Sequence, residues 1–208
     1  MREACYFRSM EFSSRIIEQA VNEISRFPGI GKKTALRMVL HLIKQESKDV
    51  SQLSEAILAL KTDLKQCAEC GNVADDTLCL ICNDKRRDDK LLCIVEDLRD
   101  VMAIENTGQY RGKYHILGGL ISPIDGIGPE DLNLSELENR IKTKEVEEVI
   151  LALSANMEGD TTTFYLSRRL KPLNIIVSSL SRGISVGGEL EYADEITLGR
   201  SIAARIKI

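Results

Sequence analysis

The sequence predicts an α+β chain of several modules. It reads as a helical N-terminal module, a small four-cysteine metal module, an α/β module around a central, mainly parallel sheet, and a C-terminal tail. Three observations predict this. Apolar residues recur at three-four spacing through the first part of the chain. Two Cys-x-x-Cys pairs, Cys67/Cys70 and Cys79/Cys82, stand in one short window. Beyond them, short continuous apolar runs alternate with helical patterns, as in strands buried on both faces and joined by right-handed crossovers. The boundaries expected are a disordered extension over 1–10, the helical module over 11–65, the cysteine module over 66–88, the α/β module over 89–180 and the tail over 181–208.

The helical module has three stripes. Ile16, Ile17, Ala20, Val21 and Ile24 form the first; Ala35, Met38, Val39, Leu42 and Ile43 the second; Val50, Leu53, Ile57, Leu60 and Leu64 the third. Phe27-Pro28-Gly29-Ile30-Gly31 separates the first two. The glycines allow a tight turn, and the helix starting near Lys32 points its first amides outward, a geometry suited to phosphate. Lys33, Arg37, His41 and Lys44 share that helix's polar face. The pattern is a helix-hairpin-helix that would meet DNA phosphates rather than base edges, through Gly29, Gly31, Lys32, Lys33 and Arg37. The alternative is a solvated basic corner. A nucleotide P-loop is excluded: Arg26 stands where its first glycine belongs, and Lys33 where Ser or Thr must follow the lysine. His41 alone reads as a surface or packing residue.

Bulk properties bound these readings. The chain has 208 residues, 43% apolar and only 4% aromatic with no Trp, so its cores rest on Leu, Ile, Val and Ala. A net charge of −4 excludes a general polyanion binder, so nucleic-acid contact requires a local basic patch. The segment Met1 to Arg15 carries charges and no apolar run, unlike a secretory signal, and no stretch is suited to span a bilayer. A cytoplasmic, reducing location is therefore expected, and paired cysteines there are metal ligands before they are disulfides.

The quartet Cys67, Cys70, Cys79 and Cys82 suits a closed, structural tetrahedral Zn²⁺ site. The residues between the pairs are too few and too polar to form a core, so the metal must supply folding energy. Lys65, Lys85, Arg86 and Arg87 flank the quartet and are placed to offset its charge or touch phosphate. Two disulfides or free thiols are the alternative. Cys93 reads as a buried apolar residue in a strand, and Cys5 as an unpaired terminal thiol.

Strands are expected at Leu91–Val95, Tyr114–Leu117, Val149–Leu153 and Asn174–Val177, with helices around Leu134, Leu137 and Ile141 and around Phe164 to Leu170. Residues 118–131 (GGLISPIDGIGPED) read as a long irregular loop. Glu96 ends the first strand, at the edge where parallel sheets gather ligands. With Asp100, Glu158 and Asp160 it makes a candidate Mg²⁺ or partner site. Helix capping explains Asp160 as well as metal does, and Asp97 or Asp100 suits the next helix's dipole. Ser154, Ala155 and Asn156 stand where a metal-clamping set would need acids, which favours a binding edge over an active site.

The ordered set of motifs resembles the RecR family of recombination mediators across nearly the whole chain. The matching strings are Phe27 to Arg37, the cysteine quartet, Ile94-Val95-Glu96, Ala103 to Gln109, Ser122 to Asp131 and Gly183 to Leu190. The resemblance implies a helix-hairpin-helix domain, a four-cysteine zinc finger, a Toprim domain and a C-terminal tail. It also implies a homotetrameric ring able to encircle single- or double-stranded DNA, and work with RecO and RecF to load RecA onto single-stranded DNA in the bacterial cytoplasm and nucleoid. The family's DNA-contacting lysine and arginine fall on Lys33 and Arg37. Four copies of that face lining one hole would reconcile DNA binding with an acidic chain.

Catalytic Toprim domains pair a glutamate, matched by Glu96, with an Asp-x-Asp that would fall on Ser154 and Asn156; its absence argues against enzymatic activity. An extension of about ten residues and the string Ala193-Asp194-Glu195, in place of a glycine turn, depart from the family pattern.

Overall fold

A computed structural model describes residues 14–205 apart from positions 182, 185, 186 and 188. The expected N-terminal extension and Cys5 lie outside the described residues. Two units divide between Thr62 and Asp63.

In the first unit, α1 (Arg15–Ile24) and α2 (Lys32–Ile43) pack through Val21, Ala35 and Val39, with Ile17, Ala20, Ile24, Ile30 and Leu36 around them. Ile16 departs from its expected stripe: it is 81% exposed, because one residue before Ile17 means about 100° around the helix. Met38 and Ile43 also face outward. The third helix, α3 (Ser47–Thr62), has no buried residue; Leu53, Ile57, Leu58 and Leu60 are exposed. Leu64 lies beyond its end.

The second unit begins with a two-residue ribbon, β1 (Lys65–Gln66) antiparallel to β2 (Val73–Ala74), followed by one helical turn, α4 (Leu80–Asn83). The main sheet has the order β4-β3-β5-β6. Its strands β3 (Asp88–Val95), β4 (Gly112–Ile116), β5 (Glu148–Leu151) and β6 (Ile176–Ser179) are all parallel. The connections carry α5 (Leu98–Asn106), α6 (Leu137–Thr143) and α7 (Met157–Leu170).

Strand alternation supplies two faces. Leu92, Ile94, Val149 and Leu151 pack with Leu137 and Ile141 of α6 and Leu166 and Leu170 of α7. On the other face Cys93, Val95, Tyr114 and Ile116 pack with Val101 of α5. Cys93 is the expected buried thiol, and desolvation pushes its pKa up to about 12. The run expected at Asn174–Val177 is partly exposed, because β6 is an edge strand. The loop over 118–131 contains a bridge, Ser122 to Ile127, and a 3₁₀ turn at Pro129–Asp131. At the departure from the family pattern, the Asp194 side chain accepts from the Thr197 N–H at 2.8 Å and starts α8 (Glu195–Ala203). Asp194 thus serves as the N-cap of this helix.

Candidate nucleic-acid interface and metal centre

Between α1 and α2 the chain turns through Phe27 N–H to Ile24 O at 3.2 Å and Ile30 N–H to Phe27 O at 3.1 Å. Gly29 takes φ +77°, the left-handed region that favours glycine. Gly31 is the N-cap of α2, so no side chain caps the helix. Neither glycine has a neighbour that an added Cβ would meet within 4 Å, so the approach to the α2 amides is open within this unit. The first turn of α2 has no acidic residue, leaving Lys32 and Lys33 beside the positive end of the helix dipole. Lys33, Arg37, His41 and Lys44 are exposed. The imidazole Nε2 of His41 lies 3.3 Å from the Gln45 amide, as expected of a surface residue.

The cysteine module forms a zinc site with four cysteine ligands. All four sulfurs lie within 4.8 Å of one another. Cys70 and Cys79 are 3.6 Å apart, close to the S···S edge of about 3.8 Å that a Zn–S bond near 2.3 Å implies for a tetrahedron. The thiols are all free, with no disulfide among them. Backbone amides already face the sulfurs: Asn72 N–H donates to Cys70 Sγ at 3.5 Å, Cys79 N–H to Cys67 Sγ at 3.3 Å and Cys82 N–H to Cys79 Sγ at 3.4 Å. Neighbouring thiols donating to Cys79 hold its pKa far below normal. Hydrogen bonding to Cys79, with burial, pushes Cys70 up to about 12, and hydrogen bonding to Cys70 and Cys79, with burial, raises Cys82 as well. Thiolates this close together need a cation between them, which Zn²⁺ would supply. Gly71 lets the first knuckle close: it takes φ +76°, and a Cβ there would lie 2.6 Å from the Asn133 amide.

Two of the four flanking cations have other partners. Arg86 forms an ion pair with Asp84, and Arg87 pairs with Glu105, which also accepts from the Tyr114 hydroxyl at 2.7 Å. Two cations that the sequence did not single out reach the cysteine module instead. Lys113 Nζ donates to the carbonyls of Ile81, Cys82 and Asp84 at 3.0, 2.9 and 2.8 Å. The Arg140 guanidinium donates to the Glu69 and Tyr114 carbonyls at 3.1 and 2.6 Å, and lies 3.9 Å from Cys82 Sγ. The available sequence signal was a charge inside an otherwise apolar strand or core helix, at Lys113 and Arg140.

At the carboxyl edge of the sheet, Glu96 is partly buried, and desolvation together with Asp100 and Asp97 raises its pKa. Asp100 Oδ2 accepts from the backbone N–H groups of Glu96 and Asp97 at 3.1 and 3.2 Å. Asp97 caps α5, accepting from Arg99 N–H at 2.7 Å, and the Arg99 guanidinium lowers its pKa. The cap of α7 is Asn156, accepting from Gly159 N–H at 2.8 Å, rather than Asp160. Asp160 Oδ2 lies 3.6 Å from Arg200 of α8. Glu158 sits in the first turn of α7. Among the described residues, the cysteine quartet is the cluster with metal-ligating geometry; Glu96, Asp100, Glu158 and Asp160 do not converge to that degree.

Comparison with known proteins follows the same modular order. The family described as RecR, helix-hairpin-helix matches residues 17–61, and the RecR four-cysteine zinc finger domain family matches 64–84. The Toprim domain family matches 90–181, and the family described as RecR, C-terminal matches 183–206. The chain is 57% identical over 197 residues to recombination protein RecR of Flavobacterium johnsoniae, covering 95% of this chain and 96% of the relative. It is 54% identical over 197 residues to recombination protein RecR of Cytophaga hutchinsonii, covering 94% and 96%. Against the protein of the same name from Porphyromonas gingivalis it is 52% identical over 195 residues, covering 94% of each.

Proposed function

Because the chain belongs to the RecR family of DNA-repair recombination proteins, we propose that it is a non-enzymatic recombination mediator that grips the DNA backbone. The α1–α2 corner carries this reading. Uncapped amides after Gly31 and the exposed Lys33 and Arg37 present donors and charge on one helix with no acid in its first turn. Such a surface binds phosphates without reading bases, so both single- and double-stranded DNA are ligands.

The mediator works with RecO and RecF to place RecA on single-stranded DNA. It acts as a ring-shaped homotetramer, associated with the nucleoid in the bacterial cytoplasm. Exposed Ile16, Met38, Leu40, Ile43, Leu53, Ile57 and Leu60 on the small first unit support self-association, since a monomer gains nothing by leaving so many large apolar side chains in water. No helix among the described residues is long and apolar enough to cross a membrane.

The Toprim module serves as a scaffold and partner edge. Asn156 caps α7 through its side chain, so one of the two positions that would hold catalytic aspartates is engaged in a structural contact. A Mg²⁺-dependent nucleic-acid enzyme is the second reading, supported by Glu96 at the strand end.

Fluorescence anisotropy with labelled oligonucleotides of unrelated sequence tests the first reading. The Lys33→Ala, Arg37→Ala double variant is expected to lose affinity about equally on every sequence. Unchanged affinity on all of them would remove the hairpin from the DNA interface.

A further inference from the structure

Two cationic side chains are buried where the zinc finger meets the Toprim sheet, and each has only a long ion pair to a carboxylate that is exposed or shared. Lys113 is 4% exposed and Arg140 is 7% exposed. Asp89 lies 3.7 Å from Lys113 Nζ and is itself on the surface. Arg140 has Glu69 Oε2 at 3.9 Å, while the other oxygen of Glu69 is held by Lys144 at 2.9 Å. Buried charges this poorly matched are costly unless something else neutralises them.

The missing negative charge is next to both. Zinc with four thiolates carries a net charge of about −2. Arg140 lies 3.9 Å from Cys82 Sγ, one of the four ligands. Lys113 holds the Cys82 carbonyl and two neighbours that end the second knuckle. Meanwhile Ile116 N–H donates to the Cys70 carbonyl at 2.8 Å, tying the first knuckle to β4. Since β4 is an edge strand, the finger covers an edge that would otherwise present unpaired amides.

We propose that Lys113 and Arg140 are the counter-charges of the zinc tetrathiolate, so that metal occupancy and closure of the β4 edge are a single equilibrium. Without zinc, the two cations lose their compensation and the finger lifts from the sheet. With zinc, two positive charges meet a site of opposite and equal charge. Metal retention and sheet integrity are in this respect separate from the DNA interface.

The test uses the full zinc-loaded chain. Apparent zinc affinity is measured by competition with a chromophoric chelator for the wild type, Arg140→Met, Lys113→Met and Arg140→Lys. As a charge control, Lys90→Met removes an exposed cation paired with Glu147. The two methionine variants are expected to bind zinc about 10- to 100-fold more weakly, Arg140→Lys to recover part of the loss, and Lys90→Met to match the wild type. Should a methionine variant fail to fold, hydrogen exchange on the wild type before and after chelation replaces it. Removal of zinc is then expected to deprotect the amide of Ile116. Equal affinity in folded Arg140→Met and Lys113→Met, an equal loss in Lys90→Met, or unchanged Ile116 protection after chelation would each overturn the proposal.

Discussion

The Asp100 carboxylate accepts the backbone N–H of Glu96 at 3.1 Å, and by doing so fixes the end of β3 against the start of α5. The same oxygen takes the Asp97 N–H, completing a capping box. Asp100 is thus committed to backbone, and Glu96 is left beside Ser154 with a raised pKa. Incubation of purified protein with labelled DNA and Mg²⁺ is expected to give no cleavage on a denaturing gel, and Glu96→Gln to change nothing. Cleavage that disappears in Glu96→Gln would instead establish the Toprim module as an active site.

His115 gives the fold an acid-sensitive point. It is fully buried on β4, its ring nitrogen Nε2 lies 2.6 Å from the Asn133 carbonyl, and Nδ1 has no partner. Burial lowers its pKa from 6.5 to about 4, so the folded state holds the ring neutral with Nε2–H donating. Between those values the unfolded chain binds more protons than the folded one. Stability contributed by the neutral ring is therefore complete above pH 6.5 and declines as pH falls toward 4, by on the order of 3 kcal/mol. His115→Gln keeps a donor for Asn133 and cannot ionise. Chemical denaturation between pH 7 and pH 4.5 should show a shallower decline for this variant than for the wild type; parallel curves would refute the assignment.

Gly159 is required by close approach rather than by backbone conformation. A Cβ at this position would sit 1.9 Å from the Ser154 carbonyl oxygen, a backbone atom that cannot swing away. The contact seats the first turn of α7 against the backbone at Ser154. Gly159→Ala is expected to cost about 1–3 kcal/mol in thermal or denaturant melts. A variant as stable as the wild type would show that this turn shifts freely.

The modules could be read from the sequence because each rests on local spacing. Two Cys-x-x-Cys pairs specify a tetrathiolate whatever surrounds them, and the glycines before Lys32 mark where α2 starts. The runs at Leu91–Val95 and Val149–Leu153 correspond to the two central strands, β3 and β5, because both faces of those strands are covered. What could not be read depends on contacts across long sequence distances. Arg140 reaches the cysteine module from α6 and Lys113 reaches it from β4, so the adjacent Arg86 and Arg87 were the more obvious candidates. Asp160 looked like the cap of α7 because three threonines follow it. The helix instead starts earlier, at Asn156, where Gly159 permits the close approach to Ser154. The apolar residues of α3 are spaced like a core stripe, yet none is buried within the described chain. Their spacing could not reveal that they stay exposed in a single copy.

The central claim is that Lys33 and Arg37 hold phosphates, and the salt dependence of DNA affinity tests it most directly. Each phosphate neutralised on duplex DNA contributes about 0.9 to the slope of log affinity against log salt. The Lys33→Ala, Arg37→Ala variant should therefore have a slope shallower by about 1.8 for every chain that touches the duplex. Identical slopes for variant and wild type would contradict the account.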